Sequence, residues 1–320
     1  MRYALRRALH SLLLVAAVSL LSFLFAELAP GDFFSEMRLD PRLSPATIDA
    51  MRAQRGLNRP LPLRYLAWLG SVGRGEFGYS LAYNSAVGPL LVQRIPGTLL
   101  LTATATLAAW LLALPLGIWA ASRRRAWTAT ALNGLLALLL SIPELLLAVV
   151  LLLFAAQTGW LPVGGMHSTG AESLSAAARL LDTVRHLAIP VAVLVLGMAP
   201  VLIRHVAAAM REVMDAPFAL AARAHGVAPR RLLFRHLLPA ALNPLVSLFG
   251  FSLGTLLSAS LLVEVLVGWP GLGPLFLEAI FARDFALVLG VVMSSALMLI
   301  AGNLVADLLL YRVDPRIRVQ

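Results

Sequence analysis

Six stretches of this sequence are long, apolar and nearly free of charge, and nothing else in it limits the fold so severely. They lie near Leu9 to Ala29, Thr98 to Ala121, Leu132 to Ala156, Leu187 to Ile203, Pro244 to Val267 and Phe285 to Tyr311. A bilayer core of about 30 Å takes roughly 20 residues of helix at about 1.5 Å rise each, which most of these runs supply. Lipid offers no partner to backbone N–H and C=O groups, and the runs show no alternation of apolar and polar residues. Helices rather than barrel strands are therefore expected. Composition agrees: 60% of the 320 residues are hydrophobic and 13% charged, whereas a soluble domain carries about 25% charge. The expected fold is all-α and polytopic, with six transmembrane helices. The fourth run is short and needs protein neighbours.

Arginine placement sets the expected orientation. The first run follows Arg2, Arg6 and Arg7 and continues through Glu27 to Ala29 without a small-residue cleavage site, so it reads as an uncleaved span rather than a signal peptide. Six spans put both ends on one side. The short segments on that side hold Arg2, Arg6, Arg7, Arg123 to Arg125, Arg204, Arg211, Arg223, Arg230, Arg231, Arg235, Arg312, Arg316 and Arg318; the short segments opposite hold only Arg179, Arg185 and Arg283. Both termini are thus expected in the cytoplasm. Eight further Arg between Pro30 and Gly97 fall on the outer side, in a segment longer than about 60 residues, which translocates largely regardless of charge. The chain divides into a cytoplasmic N-terminus and first helix (1–29), an extracytoplasmic helical segment (30–97), a five-helix core (98–311) with a cytoplasmic loop at 204–243, and a cytoplasmic tail (312–320).

Within the outer segment, Ser44 and Pro45 read as N-cap and first helical residue, with Gly56 as the stop. After Pro60 and Pro62, the cluster Tyr65, Leu66, Trp68 and Leu69 predicts a second, amphipathic helix ended by Gly70 and Gly73. Together they form a small cap expected outside the membrane. All 26 basic residues are Arg, so the chain has no P-loop of its own, because that phosphate cradle needs a Lys. With no Cys it has no disulfide, iron–sulfur cluster or thiolate zinc site. The six His show no metal spacing: His225 and His236 are eleven apart, and His167 and His186 read as residues of a polar outer loop. Gly268-Trp269-Pro270-Gly271-Leu272-Gly273 lacks the strand and Lys of a phosphate loop and reads as a turn, with Gly271 and Gly273 as gating or structural candidates.

The inner segment from His205 to Asn243 is the most informative. Pro217 opens a helix reading Phe218 to His225, which stops at Gly226, a residue suited to a left-handed C′ position, and a second helix begins near Pro229. Ala side chains at adjacent turns let another surface approach closely, so the short helix reads as a docking knob. A bland alternative is an ordinary positive-inside loop.

The order Ala221, Ala222, Gly226, Leu238, Pro239 resembles the EAA loop of ABC-importer permeases: two Ala, a Gly four residues later, then Leu-Pro. The leading Glu of that pattern is Leu220 here, a departure common among peptide-class permeases. The rest of the chain is similar to the larger permease subunit of oligopeptide, dipeptide and nickel importers. The matching pieces begin with Leu28-Ala29-Pro30-Gly31-Asp32, Leu43-Ser44-Pro45, Arg55-Gly56-Leu57, Arg59-Pro60-Leu61, Tyr65-Leu66 with Trp68-Leu69, and Gly75-Glu76-Phe77-Gly78 with Ser80. They continue with Pro115-Leu116-Gly117, Gly159-Trp160-Leu161-Pro162, Pro270-Gly271-Leu272-Gly273, Ala282-Arg283-Asp284 and Asp314-Pro315-Arg316-Ile317.

The resemblance implies the type I permease fold in a bacterial inner membrane, a second permease, two cytoplasmic ATPase subunits and an extracytoplasmic substrate-binding protein. It implies no cofactor on this chain, ATP and Mg on the ATPases, and no nucleic-acid partner. It places ATPase coupling on Ala221, Ala222, Arg223 and Gly226, with Leu238 and Pro239 setting the return into the fifth span. The solute stays open among peptides, nickel complexes, opines and sugars. An intramembrane enzyme should display polar nucleophiles or an HExxH metal set inside its spans, and the chain shows neither; a structural protein without a pathway is the third class.

Ionisable residues inside spans cost about 2.5–3.5 kcal/mol for Asp at a helix centre and by default mark a pathway. Glu144 lies mid-span beside Pro143, where broken backbone and charge coincide; the family usually has a small or neutral residue there. It is the candidate pathway residue, selecting cationic solutes, against the alternative of a protonated or interhelically bonded Glu. Glu264 and Asp307, near the ends of the fifth and sixth spans, are structural or gating candidates.

Overall fold

The computed structural model describes residues 2–28, 31, 33, 34, 38, 44–54, 56, 58–122 and 126–313. Of the residues used above, Ala29, Pro30, Asp32, Arg42, Leu43, Arg55, Leu57, Arg123 to Arg125 and 314–320 lie outside the described residues, as do the side chains of Arg2, Arg6, Arg7, Glu27, Tyr311 and Arg312.

Helix α1 (Arg2–Leu28) is followed by α2 (Pro45–Gln54) and α3 (Leu61–Val72). A two-stranded antiparallel hairpin comes next, β1 (Tyr79–Ser80) with β2 (Ser85–Ala86), paired Tyr79 to Ala86 and Ser80 to Ser85. Then come α4 (Val87–Ser122), α5 (Ala126–Ser141), α6 (Glu144–Thr158), α7 (Ala176–Met214), α8 (Pro217–Ala224), α9 (Pro229–Val267), α10 (Leu272–Phe281) and α11 (Phe285–Val313).

Among the described residues every expected apolar run is helical except at Ile142 and Pro143, but the runs are not alike. By length and composition α4, α7, α9 and α11 can each cross a membrane. The third run, expected as one span, is two helices: α5 and α6 meet at 92° across Ile142 and Pro143 and make a fifth span only if the bent pair counts as one. Proline disfavours helical backbone in the residue before it and removes a helix donor, so the break falls where the sequence weakens it. In α1 the described apolar stretch is Leu9–Phe25. The fourth run is the centre of a 39-residue helix, and 67% of its apolar window is buried, against 33–39% in the other three spans. It does lean on protein rather than lipid.

The chain forms two compact units, residues 1–97 with 270–300, and 98–269 with 301–320. In the first, Ser44 Oγ caps α2 by accepting from Thr47 N–H at 3.1 Å, and Gly56 takes φ +68°, as expected of a stop. Helix α3 runs through Gly70 to Val72, so Gly70 is no stop: an isolated glycine costs a helix only about 1 kcal/mol. Gly97 lies so close to the 270–271 backbone that a Cβ there would sit 2.7 Å from the Pro270 oxygen. After the Gly268 turn the chain re-enters a helix, α10, rather than a simple return loop; Gly271 is its extended N-cap and Gly273 sits in its first turn.

The second unit is built around α7, whose Val193, Leu194, Leu202, Val206 and Met210 are fully or almost fully buried. Helices meet across small residues, which permit close approach without lipid-facing gaps. A Cβ on Gly117 would lie 2.6 Å from Val206, and one on Gly250 3.0 Å from Ala306. Buried polar groups pair across helices: Trp110 Nε1–H donates to Ser252 Oγ at 2.9 Å and Thr102 Oγ1 to Ser260 Oγ at 3.3 Å. His186 is inside α7 and buried, not in a loop.

Candidate functional site

The knob around α8 is assembled by backbone chemistry. Helix α7 ends at Met214, Ala216 is extended, and Pro217 starts α8 with φ preset and no N–H to lose. At the other end Gly226 takes φ +72°, its N–H bonds Arg223 O at 3.0 Å, and Val227 N–H bonds Ala222 O at 3.1 Å. These are the two bonds of a Schellman cap, and they close the helix after about 12 Å. His225 Nδ1–H adds a donor to Ala221 O at 2.8 Å. Ala219, fully buried, and Ala222, half-buried, lie three residues apart and seat the helix on the bundle. Phe218, Leu220, Ala221 and Arg223 are left exposed. The pair Ala221–Ala222 therefore divides its work, one residue outward and one inward.

Downstream, α9 is interrupted after its first turn, Pro229–Leu232. Residues Leu233–Leu237 form a π turn, with Leu238 N–H bonded to Leu233 O. Pro239 explains it: its ring would clash with the carbonyl four residues back, and it has no N–H to give. Leu238 is half-buried against the core and Pro239 is exposed.

Glu144 is the first residue of α6, not a mid-helix residue, so its carboxylate stands at the positive end of a helix dipole. It is half-buried, and its side chain occupies a notch in α7: a Cβ on Gly197 would lie 2.5 Å from Glu144 Oε1 and 3.0 Å from Cγ. Glu264 is fully buried in α9, and its carbonyl accepts from Trp269 N–H at 2.9 Å. Asp307 is half-buried on α11. Ala221, Ala222, Arg223 and Gly226 thus lie together on one knob and Leu238 and Pro239 in α9, whereas Glu144, Glu264 and Asp307 belong to three different helices.

Between α6 and α7, Ser168 donates to the Asp182 carboxylate through Oγ at 2.6 Å and N–H at 2.9 Å, and His167 and His186 lie 3.7 and 3.5 Å from it. Among the described residues no group of three or more His, Asp or Glu is placed to hold a metal.

Two family models cover the chain: residues 1–102 match the N-terminal component, and residues 113–319 match the description "Binding-protein-dependent transport system inner membrane component". The chain belongs to this permease family. It is 33% identical over 317 residues to the oligopeptide transport system permease protein AppB of Bacillus subtilis, covering 98% of each chain. It is 33% identical over 324 residues to the OppB permease protein of Mycobacterium tuberculosis, covering 99% of each. To the di/tripeptide transport system permease protein DppB of Pseudomonas aeruginosa it is 33% identical over 326 residues, covering 95% of this chain and 94% of that one. A solved inward-facing structure of the MetNI methionine ABC transporter shares the fold, with a TM-score of 0.53 and 24% identity over 70% of this chain and 96% of that chain. The molecule is a multi-pass inner-membrane transport permease of the type I importer fold, and its family is not one of catalytic enzymes.

One constellation of this permease escaped sequence reasoning. Asp284, 2% exposed, accepts from Ser80 Oγ at 2.6 Å and Ala82 N–H at 3.0 Å through Oδ2, while Oδ1 caps α11 at Leu287 N–H, 3.2 Å. Tyr83 OH donates to Glu278 beside it. Ser80 and Asp284 each stood in a motif piece, but nothing local marked them as partners.

Proposed function

We propose that this permease forms half of the solute pathway of an ATP-driven, binding-protein-dependent peptide importer and takes its power stroke through α8. Its partners are a second permease, two cytoplasmic ATPase subunits carrying ATP and Mg, and an extracytoplasmic binding protein, and both of its termini face the cytoplasm. The observation that carries this is the knob itself: a capped helix seated by Ala219 and Ala222 that turns Phe218, Leu220, Ala221 and Arg223 outward. Exposed apolar and cationic side chains on a rigid support fit a protein groove better than water. Peptide as solute rests on relatives named for oligopeptide and di/tripeptide transport. Leu238 and Pro239, just after the π turn, set the return into the fifth span.

The test is Gly226→Val in the assembled transporter. A β-branched residue resists the positive φ of the cap, so membrane insertion persists while ATP-driven peptide uptake is lost; normal uptake refutes coupling through this helix.

Glu144 supports a second element of the proposal, selection of cationic solutes along the route. The helix break sets a half-buried carboxylate between the end of α5 and the start of α6, and Gly197 gives that carboxylate its place. Glu144→Gln is expected to slow uptake of cationic peptides while sparing neutral ones, and an equal effect on both removes the charge argument. Glu264, Gly271, Gly273 and Asp307 remain structural or gating elements in this scheme.

A further inference from the structure

The amphipathic helix α3 was expected in a cap clear of the membrane, yet its contacts are with the apolar span of α1. Ser19 donates to Ala16 O at 2.9 Å, so its 2.9 Å partner Tyr65 OH donates to it. Phe23 meets Tyr65 edge-on at 5.4 Å and Trp68 at 6.1 Å, and the Arg64 guanidinium lies 5.9 Å over the Phe23 ring. Both Ser19 and Phe23 fall inside the apolar stretch Leu9–Phe25. From Ser19 to the Phe25 end is about 9 Å of helix, and membrane-surface helices sink their apolar face about 5–10 Å below the headgroup boundary. The depths agree.

The other side of α3 is exposed and carries no polar side chain. Pro62, Leu63, Leu66, Ala67, Leu69 and Gly70 cover an arc of about 160° at 100° per residue. Leu63, Leu66 and Leu69 are 56, 60 and 45% exposed. An arc of that width without one hydroxyl, amide or charge is not built for water. Aromatic residues with polar tips, Tyr65 and Trp68, are the types that concentrate at membrane interfaces.

We infer that α3 is a lipid-seated helix: it lies in the outer headgroup–acyl boundary against α1, with Leu63, Leu66 and Leu69 among phospholipid chains. Its contacts with Ser19 and Phe23 place it at the C-terminal end of α1.

The absence of Cys makes the test clean. Nitroxide labels are placed on Leu63→Cys, Leu66→Cys, Leu69→Cys and, as a water-facing reference, Arg74→Cys, in the full-length chain with its co-purifying subunits. The vesicles are phosphatidylethanolamine and phosphatidylglycerol. Spin-label collisions with oxygen should exceed those with a water-soluble nickel chelate at the three leucine positions, reporting a depth of about 5–10 Å below the phosphates, and the order should reverse at Arg74. Chelate access at the leucines equal to that at Arg74 overturns the inference in favour of water. Protection from both reagents overturns it in favour of a covering protein.

Discussion

Two turns in the same unit have the same backbone and opposite fates. Gly226 and Gly268 both take left-handed φ, +72° and +66°, and both close a Schellman cap: Gly268 N–H bonds Val265 O at 3.3 Å, and Trp269 N–H bonds Glu264 O at 2.9 Å. Neither glycine has a neighbour that a Cβ would strike, the nearest atom being 3.9 Å away at Gly268 and none lying within 4 Å at Gly226. What differs is how deeply the following residue sinks, Val227 being only half-buried against the core. Trp269 is completely buried, so that turn is nailed into the core, whereas the Gly226 turn closes a helix whose outer face is left bare. The same local cap serves as an anchor in one place and as a presented surface in the other.

The comparison breaks most easily at the anchor. Trp269→Ala should cost about 3–5 kcal/mol, as deletion of a buried aromatic side chain does, read as a drop in unfolding temperature of the detergent-solubilised protein. A Trp269 variant as stable as the parent would mean that the two turns are not differently supported.

A matched pair sharpens it. Gly226→Ala and Gly268→Ala place a Cβ in left-handed backbone, at about 1–2 kcal/mol each, and should lower stability alike. Uptake should fall out of proportion to stability only for the Gly226 variant, and parallel losses at both sites would remove the functional distinction. The smallest stability effect belongs to the knob's outer face: Leu220→Ser should stay within about 0.5 kcal/mol of the parent, yet reduce the amount of ATPase that co-purifies.

These turns also show how far the sequence could be read. Gly226, Pro217, Ser44 and Gly56 act through their own φ angles or their own side chains, so one-dimensional signals located them. The apolar runs were equally plain, because crossing a bilayer demands length above all. Three features needed the third dimension. The α5–α6 break is signalled by Pro143, but its 92° angle depends on what the new helix start packs against, including the Gly197 notch. Helix α10 was hidden because Gly-Leu-Gly-Pro reads as turn, although Pro274 in a first turn is compatible with a helix start. The Asp284–Ser80 bond joins residues 204 apart, and no local pattern encodes a partner at that distance.

The π turn at Leu233–Leu237 has one more consequence. Buried Leu232 and Leu237 are five residues apart, whereas Leu237, Ala241 and Leu245 follow at intervals of four. In an ordinary helix a step of five swings a side chain about 140° off its stripe; the wider ring absorbs the extra residue and brings Leu237 back into line. The π turn thus acts as a phase corrector, and removing a single residue from it would leave the whole fifth span rotated out of step with the face it has to bury.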